Sequence, residues 1–353
     1  MNIAVFAIDY NPPWDEGTKK IARIVVQYLE SQGDKVIVIT NDLIAKSRIL
    51  PNAVRKIRIL KQLETIYIYK KIINTNQIDV LFKVVQAGPF FAVKPYLYEK
   101  ILRKPYYLYV SSISEGKGFY RFLLNQKRVL VGGNYLKRYF TGGHLMYPII
   151  DPSKTGEVLS HDYHKKRNAS DKKIILFLGA FQKERGVEIL IKAVARLKIK
   201  NDIRLVLAWN GVGELIDTIK NIIKQERIED IVSIIGSSDI TDLYSAAHIV
   251  VIPRLVGTDF DKKMFFPLRI IESMSFGKPL VVSDVYDLAT VIKGCGIAPK
   301  PGSIEELGSA IERLCSDQDF YESCSKECIK QFREKYHPLI NLKKIYEVIH
   351  GLN

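Results

Sequence analysis

The sequence of 353 residues contains no apolar run that approaches the roughly 20 residues needed to cross a membrane as a helix. It also opens without the basic segment and cleavage site of a secretory signal, because the first apolar segment soon reaches an acid at Asp9. Residues 2–8 are instead predicted to form a buried strand. We therefore expect a cytoplasmic protein without a leader peptide or a membrane span, with a peripheral position at the cytoplasmic face of the membrane as the alternative.

Cysteine is scarce, and all four cysteines lie after residue 290 without a C-x-x-C pair. The sequence also lacks a histidine-rich cluster, a Ser-His-Asp set and a paired-carboxylate arrangement, which disfavours several classes of hydrolase and zinc site. Free thiols in a reducing compartment are the favoured interpretation, and a disulfide or metal site is the alternative. The cysteines are Cys295, Cys315, Cys324 and Cys328.

Acidic residues are under-represented, since 53 lysines and arginines face 38 acids and leave a net charge of +15. In residues 46–71 the only acid is Glu64, and tyrosine, isoleucine and leucine alternate with the cations. Residues 94–107 and 117–128 repeat this mixture. An anionic membrane surface is the favoured partner, a plain solvated surface is the alternative, and nucleic acid is disfavoured because no nucleic-acid motif is present. The cations of the first segment are Lys46, Arg48, Arg55, Lys56, Arg58, Lys61, Lys70 and Lys71.

Apolar strands alternate with amphipathic helices in two successive series, which predicts two parallel α/β sheets. The first series covers residues 1–152, and the second covers 172–336. Between them, residues 153–171 are polar and are predicted to be a linker. An apolar helical period in about 337–353 predicts a last helix that returns to the first domain. Two Rossmann-like domains would face a cleft, with ligands beyond the carboxyl ends of the strands.

Five segments occur in an order and at spacings that are typical of one enzyme family: DYNPPWDEGTKKIARIVVQYLESQGDKVIVIT, MYPIID, FLGAFQKERGVEILIKAVARL, DLYSAAHIVVIPR and FPLRIIESMSFGKPLVVSD. They resemble the group 1 glycosyltransferases of family 4, which have the GT-B fold. The resemblance implies a retaining transfer of a sugar from a nucleotide-diphosphate donor to a lipid-linked or glycan acceptor. It also implies that the leaving phosphate takes the acceptor proton, so that no strong general base is needed.

The last of these segments predicts the nucleotide site. Pro267 suits the first turn of a helix, where its missing N–H would be unpaired in any case. The backbone amides of Phe266, Leu268 and Arg269 could then point at phosphate. The resemblance places Glu272 on the ribose hydroxyls, facing the cleft, and the alternative is a surface glutamate paired with a lysine.

Three further residues complete the predicted donor site. By resemblance, Arg185 holds the cationic position of the family, and a guanidinium there would bind diphosphate and neutralise the leaving group. Lys183 is a weaker candidate, and Gly17 matches the glycine loop against the donor. Arg185 and Glu272 are predicted to be catalytic. The donor is expected to be a UDP-, GDP- or other nucleotide sugar, and neither a cofactor nor a metal is implied.

The sequence departs from the family pattern at three positions. Met264 stands eight residues before Glu272, where the family has another glutamate. Ala180 replaces an arginine after the strand glycine, and Ser111 replaces a histidine of the first domain. These departures keep open a second hypothesis, a catalytically degenerate GT-B binding subunit that partners an active glycosyltransferase. A nucleotide-sugar 2-epimerase is a third, although its carboxylates and histidine have no match here.

Overall fold

A computed structural model describes residues 1–7, 10, 17–87, 92–114, 123–156, 172–209, 215–236, 240–256 and 263–352. The chain divides into two compact units. The first unit contains Met1–Ile149, Lys263–Phe266 and Pro338–Asn353, and the second contains Ile150–Lys262 and Pro267–His337. The sequence-based division lies at residue 152. None of the described helices is long and apolar enough to cross a bilayer.

The described elements follow one another as alternating strands and helices. The strands are β1 (Asn2–Phe6), β2 (Lys35–Ile39), β3 (Val80–Ala87), β4 (Tyr106–Ser114), β5 (Val129–Val131), β6 (His144–Leu145), β7 (Lys173–Gly179), β8 (Ile203–Trp209), β9 (Val232–Ile235), β10 (Ile249–Ile252), β11 (Lys263–Phe265), β12 (Leu280–Val282) and β13 (Gly296–Ile297). The helices are α1 (Gly17–Ser31), α2 (Asn41–Lys46), α3 (Asn52–Arg55), α4 (Arg58–Thr75), α5 (Val93–Leu102), α6 (Asn134–Lys137), α7 (Val187–Ala195), α8 (Ile216–Gln225), α9 (Ile240–Ala246), α10 (Leu268–Ser275), α11 (Leu288–Val291), α12 (Ile304–Ser316), α13 (Gln318–Gln331) and α14 (Pro338–His350).

The first unit is built on a parallel sheet in the order β2-β1-β3-β4-β5-β6. Its strands are apolar on both faces, as expected for a parallel sheet that is covered by helices on both sides. Helix α1 buries Ile21, Val25 and Leu29 against the sheet, on the face that its helical period predicts. The chain then turns at Gly33, whose φ of +89° favours glycine.

The last helix closes the core of the first unit. Leu342, Ile345 and Ile349 of α14 are buried in the same cluster as α1 and the sheet. The side chain of Asn341 accepts a hydrogen bond from the backbone N–H of Tyr147 at 3.0 Å. The predicted return of the C-terminal helix to the first domain is therefore confirmed.

The second unit is built on a parallel sheet in the order β13-β12-β10-β7-β8-β9. From β7 the chain proceeds through β8 to β9 on one side, and β10, β12 and β13 lie on the other side. The strand order therefore reverses between the neighbours β7 and β10. Such a switch point leaves a crevice beyond the carboxyl ends of the two strands, and ligands of open α/β sheets bind there.

A short strand that the sequence pattern does not predict belongs to the first unit. Strand β11 pairs antiparallel with the end of β4, with Met264 opposite Ile113 and Phe265 opposite Ser112. Sequence reasoning includes this segment in the second domain, and the backbone pairing assigns it to the first. Three residues carry too little periodicity to reveal such a pairing.

Candidate functional site

The candidate site lies at the switch point of the second sheet. Strand β7 ends at Gly179, and its neighbour β10 ends at Ile252. The third contributing element, α10, begins at Leu268 after Pro267, whose backbone is extended and caps the helix. The helix therefore begins one residue later than the sequence predicts, and Pro267 precedes its first turn. Leu268 and Arg269 now hold the first two helical positions, whose amides have no acceptor within a helix.

The side chain of Arg269 lies directly over the end of β7. A Cβ atom at Gly179 would stand 2.7 Å from Cζ of the Arg269 guanidinium and would collide with its Nη2. Gly179 also has a φ of +146°, a conformation that side-chain-bearing residues rarely adopt. Glycine is thus required at the strand end so that the guanidinium can occupy this position.

A second close approach brings two more arginines to the same edge of the sheet. The carbonyl group of Pro253 lies where a Cβ at Gly186 would stand, with the carbonyl carbon 2.9 Å away, and Gly186 has a φ of +69°. The backbone N–H of Leu255 donates to the carbonyl oxygen of Glu184 at 3.1 Å. In each of the two segments the arginine, Arg185 or Arg254, lies between the two residues that make these contacts, so the backbones of the two arginines are held close together.

We call Arg185, Arg254 and Arg269 the arginine cluster. Arg254 is only 1% exposed, although arginine is among the residues least often buried completely. Burial, followed by the charges of Arg269 and Arg254, lowers the pKa of Arg185 to about 9, and Glu184 opposes this shift. Burial also lowers the pKa of Arg269 from its ordinary value, against the opposing effects of Tyr244 and Glu272. Guanidinium groups nevertheless keep their proton at neutral pH, so the cluster is a fixed concentration of positive charge.

Glu272 is half-buried, one turn beyond Arg269 on α10. The hydroxyl of Tyr244 donates to its Oε2 at 2.8 Å, and the Tyr244 ring stacks on Phe276 with centroids 5.5 Å apart. Burial and the nearby Glu272 raise the pKa of Tyr244 well above its ordinary value, so the phenol remains a donor. This contact fixes one carboxylate oxygen, so Glu272 is held by a buried tyrosine rather than by a surface lysine.

The predicted donor residues are divided between the two units. Arg185, Arg269 and Glu272 lie at the switch point of the second unit, and Lys183 is the exposed first residue of the 3₁₀ turn that ends at Arg185. Phe266 belongs to the first unit, where its ring packs against Tyr147 with centroids 5.8 Å apart.

Gly17 also lies in the first unit and is the first residue of α1. The rest of its predicted loop, residues 11–16, falls outside the described residues. The role predicted for Gly17 against the donor therefore stays a prediction.

The three departures from the family pattern have distinct settings. Ala180 is buried directly after Gly179, next to the position taken by the Arg269 guanidinium. The hydroxyl of Ser111 donates to the carbonyl oxygen of Val85 at 3.1 Å, so it serves the sheet of the first unit. Met264 lies in β11.

Two residues of this site are missing from the sequence-based set. Arg254 lies two residues after the end of β10, and an arginine just beyond a buried strand at the carboxyl edge of a sheet is a usable signal. Tyr244 lies within the segment DLYSAA on α9, and nothing in the sequence distinguishes it from a core tyrosine. In the part of the chain that the structure describes, no cluster of three His, Cys, Asp or Glu side chains could hold a metal ion.

Comparison with known proteins identifies the second unit. Residues 160–331 match the model of the group 1 glycosyl transferases. This segment belongs to the group 1 glycosyltransferase family. The match includes the whole arginine cluster, Tyr244 and Glu272, so the site described above is part of the group 1 domain.

Curated relatives match over about half of this chain. An uncharacterized glycosyltransferase of Methanocaldococcus jannaschii is 30% identical over 171 residues, which cover 47% of this chain and 42% of that protein. The alpha-D-kanosaminyltransferase of Streptomyces kanamyceticus is 26% identical over 181 residues, or 50% of this chain and 45% of that protein. The matched region therefore spans less than half the length of these relatives.

Solved structures extend the fold comparison to nearly the whole chain. A glycosyltransferase from Rickettsia africae superimposes with a TM-score of 0.75 at 17% identity and covers 99% of this chain and 98% of its own. Anabaena HepE in complex with UDP gives a TM-score of 0.71 at 17% identity, with 99% and 100% covered. The group 1 domain thus belongs to a chain with the GT-B fold, as the sequence predicts.

Proposed function

We propose that this protein is a retaining glycosyltransferase that moves a sugar from a nucleotide-diphosphate donor to a glycan or lipid-linked acceptor. The observation that carries the proposal is the arginine cluster at the switch point, with Glu272 one helical turn away on α10. Group 1 membership of the same segment and the UDP bound by Anabaena HepE support it. We take UDP as the first donor nucleotide to test.

In this proposal the arginine cluster binds the diphosphate. One guanidinium group can donate two parallel hydrogen bonds to the oxygens of a phosphate, and it stays charged when it is buried. Arg269 reaches over Gly179 and supplies the charge that the family pattern expects from residue 180, where this chain has alanine. Glu272, fixed by Tyr244, accepts hydrogen bonds from the ribose hydroxyls.

The proposed sugar transfer requires stabilisation of the negative charge on the leaving group more than it requires a general base. The bond between the anomeric carbon and the phosphate oxygen breaks, and the acceptor oxygen bonds to that carbon from the same face. The acceptor proton moves to the departing phosphate oxygen. Arg185 neutralises the charge that grows on this leaving group, a contribution that is larger in the transition state than in the ground state. We propose that this charge makes a metal unnecessary, so turnover with EDTA should equal turnover with Mg²⁺.

Calorimetry with two ligands tests the site. Glu272→Ala should weaken UDP binding by about 1.5–3 kcal/mol, because a charged hydrogen bond is lost, and leave the affinity for inorganic pyrophosphate unchanged. Arg185→Ala should lower kcat for donor turnover more than it weakens UDP binding. Equal losses for UDP and pyrophosphate with Glu272→Ala would contradict the ribose role. Normal kcat in Arg185→Ala would reduce that cation to a ground-state anchor.

The degenerate binding subunit remains the second candidate function. Ser111, which replaces the family histidine, has its hydroxyl bonded within the sheet, and Met264 has no carboxylate to offer a sugar. This candidate predicts UDP binding with normal affinity but no donor hydrolysis and no transfer to any acceptor. If the wild type releases UDP from a UDP-sugar, and if Arg185→Ala lowers the rate of that release, the binding-subunit candidate is excluded.

A further inference from the structure

Helix α4 of the first unit carries apolar side chains on two opposite faces. One face is buried in the core through Ile68 and Ile73. The other face exposes Ile59, Leu63 and Tyr67, which are 70%, 56% and 55% accessible to solvent. These three residues are spaced four apart and therefore form one continuous stripe along the helix. Large apolar residues exposed in sequence on one side of a helix mark an interaction surface rather than a scatter of single residues.

Five exposed cations lie on α4 or in the segment that precedes it, and we call the stripe with these cations the basic face. None of the five cations has an ion-pair partner among the residues that the structure describes. In the same segment, Lys46 pairs with Asp42 at 2.9 Å and is thereby partly neutralised. The five cations are Arg48, Lys56, Lys61, Lys70 and Lys71.

The only acid of the segment does not offset this charge at the surface. Glu64 is buried, and its carboxylate accepts from Nε of Arg55 and from the backbone N–H groups of Ile49 and Leu50 at 2.7–2.8 Å. Hydrogen bonds from its three partners lower the pKa of Glu64, and the bond from the Leu50 amide has the largest effect. Burial alone would raise this pKa, but the hydrogen bonds have the greater effect and the carboxylate stays ionised. Arg55 thus stabilises the fold through Glu64. The prediction that Arg55 is a surface cation in contact with a membrane is wrong.

The same carboxylate orders the loop that precedes α4. With the amides of Ile49 and Leu50 bound to Glu64, the loop presents the Ile49 side chain to solvent, where it is 63% accessible. Ile57, immediately before α4, is 55% accessible. These isoleucines extend the stripe toward the start of the helix.

Helix α5, which packs beside α4, has a similar exposed side. Tyr69 and Tyr98 meet edge to face with centroids 5.3 Å apart and join the two helices. Leu97 and Ile101 of α5 are 45% and 41% accessible, again four residues apart. Exposed cations lie among them at Lys94, Lys100 and Arg103.

We propose that the basic face docks on the surface of an anionic lipid bilayer. The apolar stripe enters the boundary between headgroups and acyl chains, and the lysines bind anionic headgroups around it. Lysine suits this position because its aliphatic stem lies along the apolar layer and its ammonium group reaches the headgroups. A nucleic acid would satisfy the cations but would leave Ile59 and Leu63 in water, so lipid explains both features.

Vesicle flotation with the full chain tests the proposal. Phosphatidylcholine vesicles with and without 30% phosphatidylglycerol are the probe, each in low salt and in about 0.5 M NaCl, where screening is strong. The wild type should float with the anionic vesicles in low salt, float less in high salt, and stay in solution with phosphatidylcholine alone. A fluorescent single-stranded oligonucleotide is titrated in parallel.

Two variants separate the charged and apolar parts. The triple change Lys56→Gln, Lys70→Gln and Lys71→Gln should weaken binding to anionic vesicles at least about tenfold, because each cation near the lipid contributes. The double change Ile59→Ser and Leu63→Ser should also weaken it about tenfold and should remove the binding that survives high salt. The matched control removes three exposed cations of the second unit by Lys198→Gln, Lys220→Gln and Lys224→Gln, and it should bind like the wild type.

Each outcome bears on the proposal. Thermal unfolding and UDP affinity like those of the wild type establish that the variants are folded, since the changed residues are exposed. Equal binding by the lysine variant and its control would overturn the basic face as the docking site. Absence of wild-type flotation in low salt, or oligonucleotide binding that exceeds vesicle binding and depends on the same lysines, would overturn the lipid partner.

Discussion

Positive charge is concentrated in two regions of this chain, and the regions differ in residue type and burial. The second unit holds three arginines at the switch point, one of them 1% exposed, where glycine backbones make room for them. The first unit displays mainly lysines on the outside of α4 among exposed apolar residues. Buried guanidinium groups suit one anion of fixed shape, whereas mobile ammonium groups suit a broad anionic surface. Part of the positive charge of this chain is therefore arranged in two different ways, as a buried arginine cluster and as an exposed basic face.

The largest effect is expected where backbone packing supports the arginine cluster. Gly186→Ala should destabilise the protein by about 1–2 kcal/mol for the left-handed backbone and about 1–3 kcal/mol more for the clash with Pro253. Gly302→Ala is the matched control, because Gly302 has a φ of +79° but its nearest neighbour, Leu255, is 3.8 Å from a built Cβ. Urea unfolding measures both. Equal losses in the two variants would show that the contact with Pro253 contributes nothing.

The next effect concerns the guanidinium over Gly179. Arg269→Gln should weaken UDP binding about 10- to 150-fold, in line with the 1.5–3 kcal/mol typical of a hydrogen bond to a charged group. Arg196→Gln, an exposed arginine of the same unit that pairs with Glu305, is the control and should leave the affinity unchanged. Isothermal calorimetry in low and high salt completes the test. A loss of affinity in the control as large as in Arg269→Gln would mean that general charge, not the cluster, attracts the nucleotide.

A smaller effect is expected at the tyrosine that holds Glu272. Tyr244→Phe keeps the ring stacked on Phe276 but removes the hydroxyl that donates to the carboxylate. The loss should be about 0.5–1.5 kcal/mol in UDP affinity or in the free energy of unfolding. Pyrophosphate affinity should not change, because the arginine cluster is intact. Pyrophosphate binding that weakens together with UDP binding would argue against separate ribose and phosphate contacts.

The smallest effect belongs to the exposed region. The triple lysine variant of the basic face should change the free energy of unfolding by no more than about 0.5 kcal/mol per residue, as is usual for surface positions. Denaturant unfolding without vesicles measures this. A large destabilisation would show that these lysines serve the fold of the first unit, and the contrast between the two regions would then fail.

Much of the architecture follows from local sequence patterns. Each apolar run or helical period lies within a single strand or helix. The strands at 2–6 and 173–179 and the helix from 17 to 31 are therefore predicted with bounds close to those observed. Strand β11 could not be predicted, because three residues owe their extended conformation to pairing with β4 rather than to their own pattern.

The sequence predicts which residue types the candidate site contains, but it does not predict the geometry of the site. The cation at Arg185 and the carboxylate at Glu272 follow from family-like spacing. The position of the Arg269 side chain depends on Gly179, which is 90 residues earlier in the chain, and no local rule joins them. Arg254 has the appearance of a loop residue until its burial is known.

The docking of α14 has a consequence for how the chain acquires its structure during synthesis. His350 Nε2 contacts Asp34 Oδ1 at 3.1 Å, so two partners in one small core are separated by 316 positions. Domains made on the ribosome usually begin to fold in order from the N-terminus. Here the core of the earlier-made unit lacks Leu342, Ile345 and Ile349 while the entire later-made unit is translated. The second unit can therefore complete its core before the first unit completes its own.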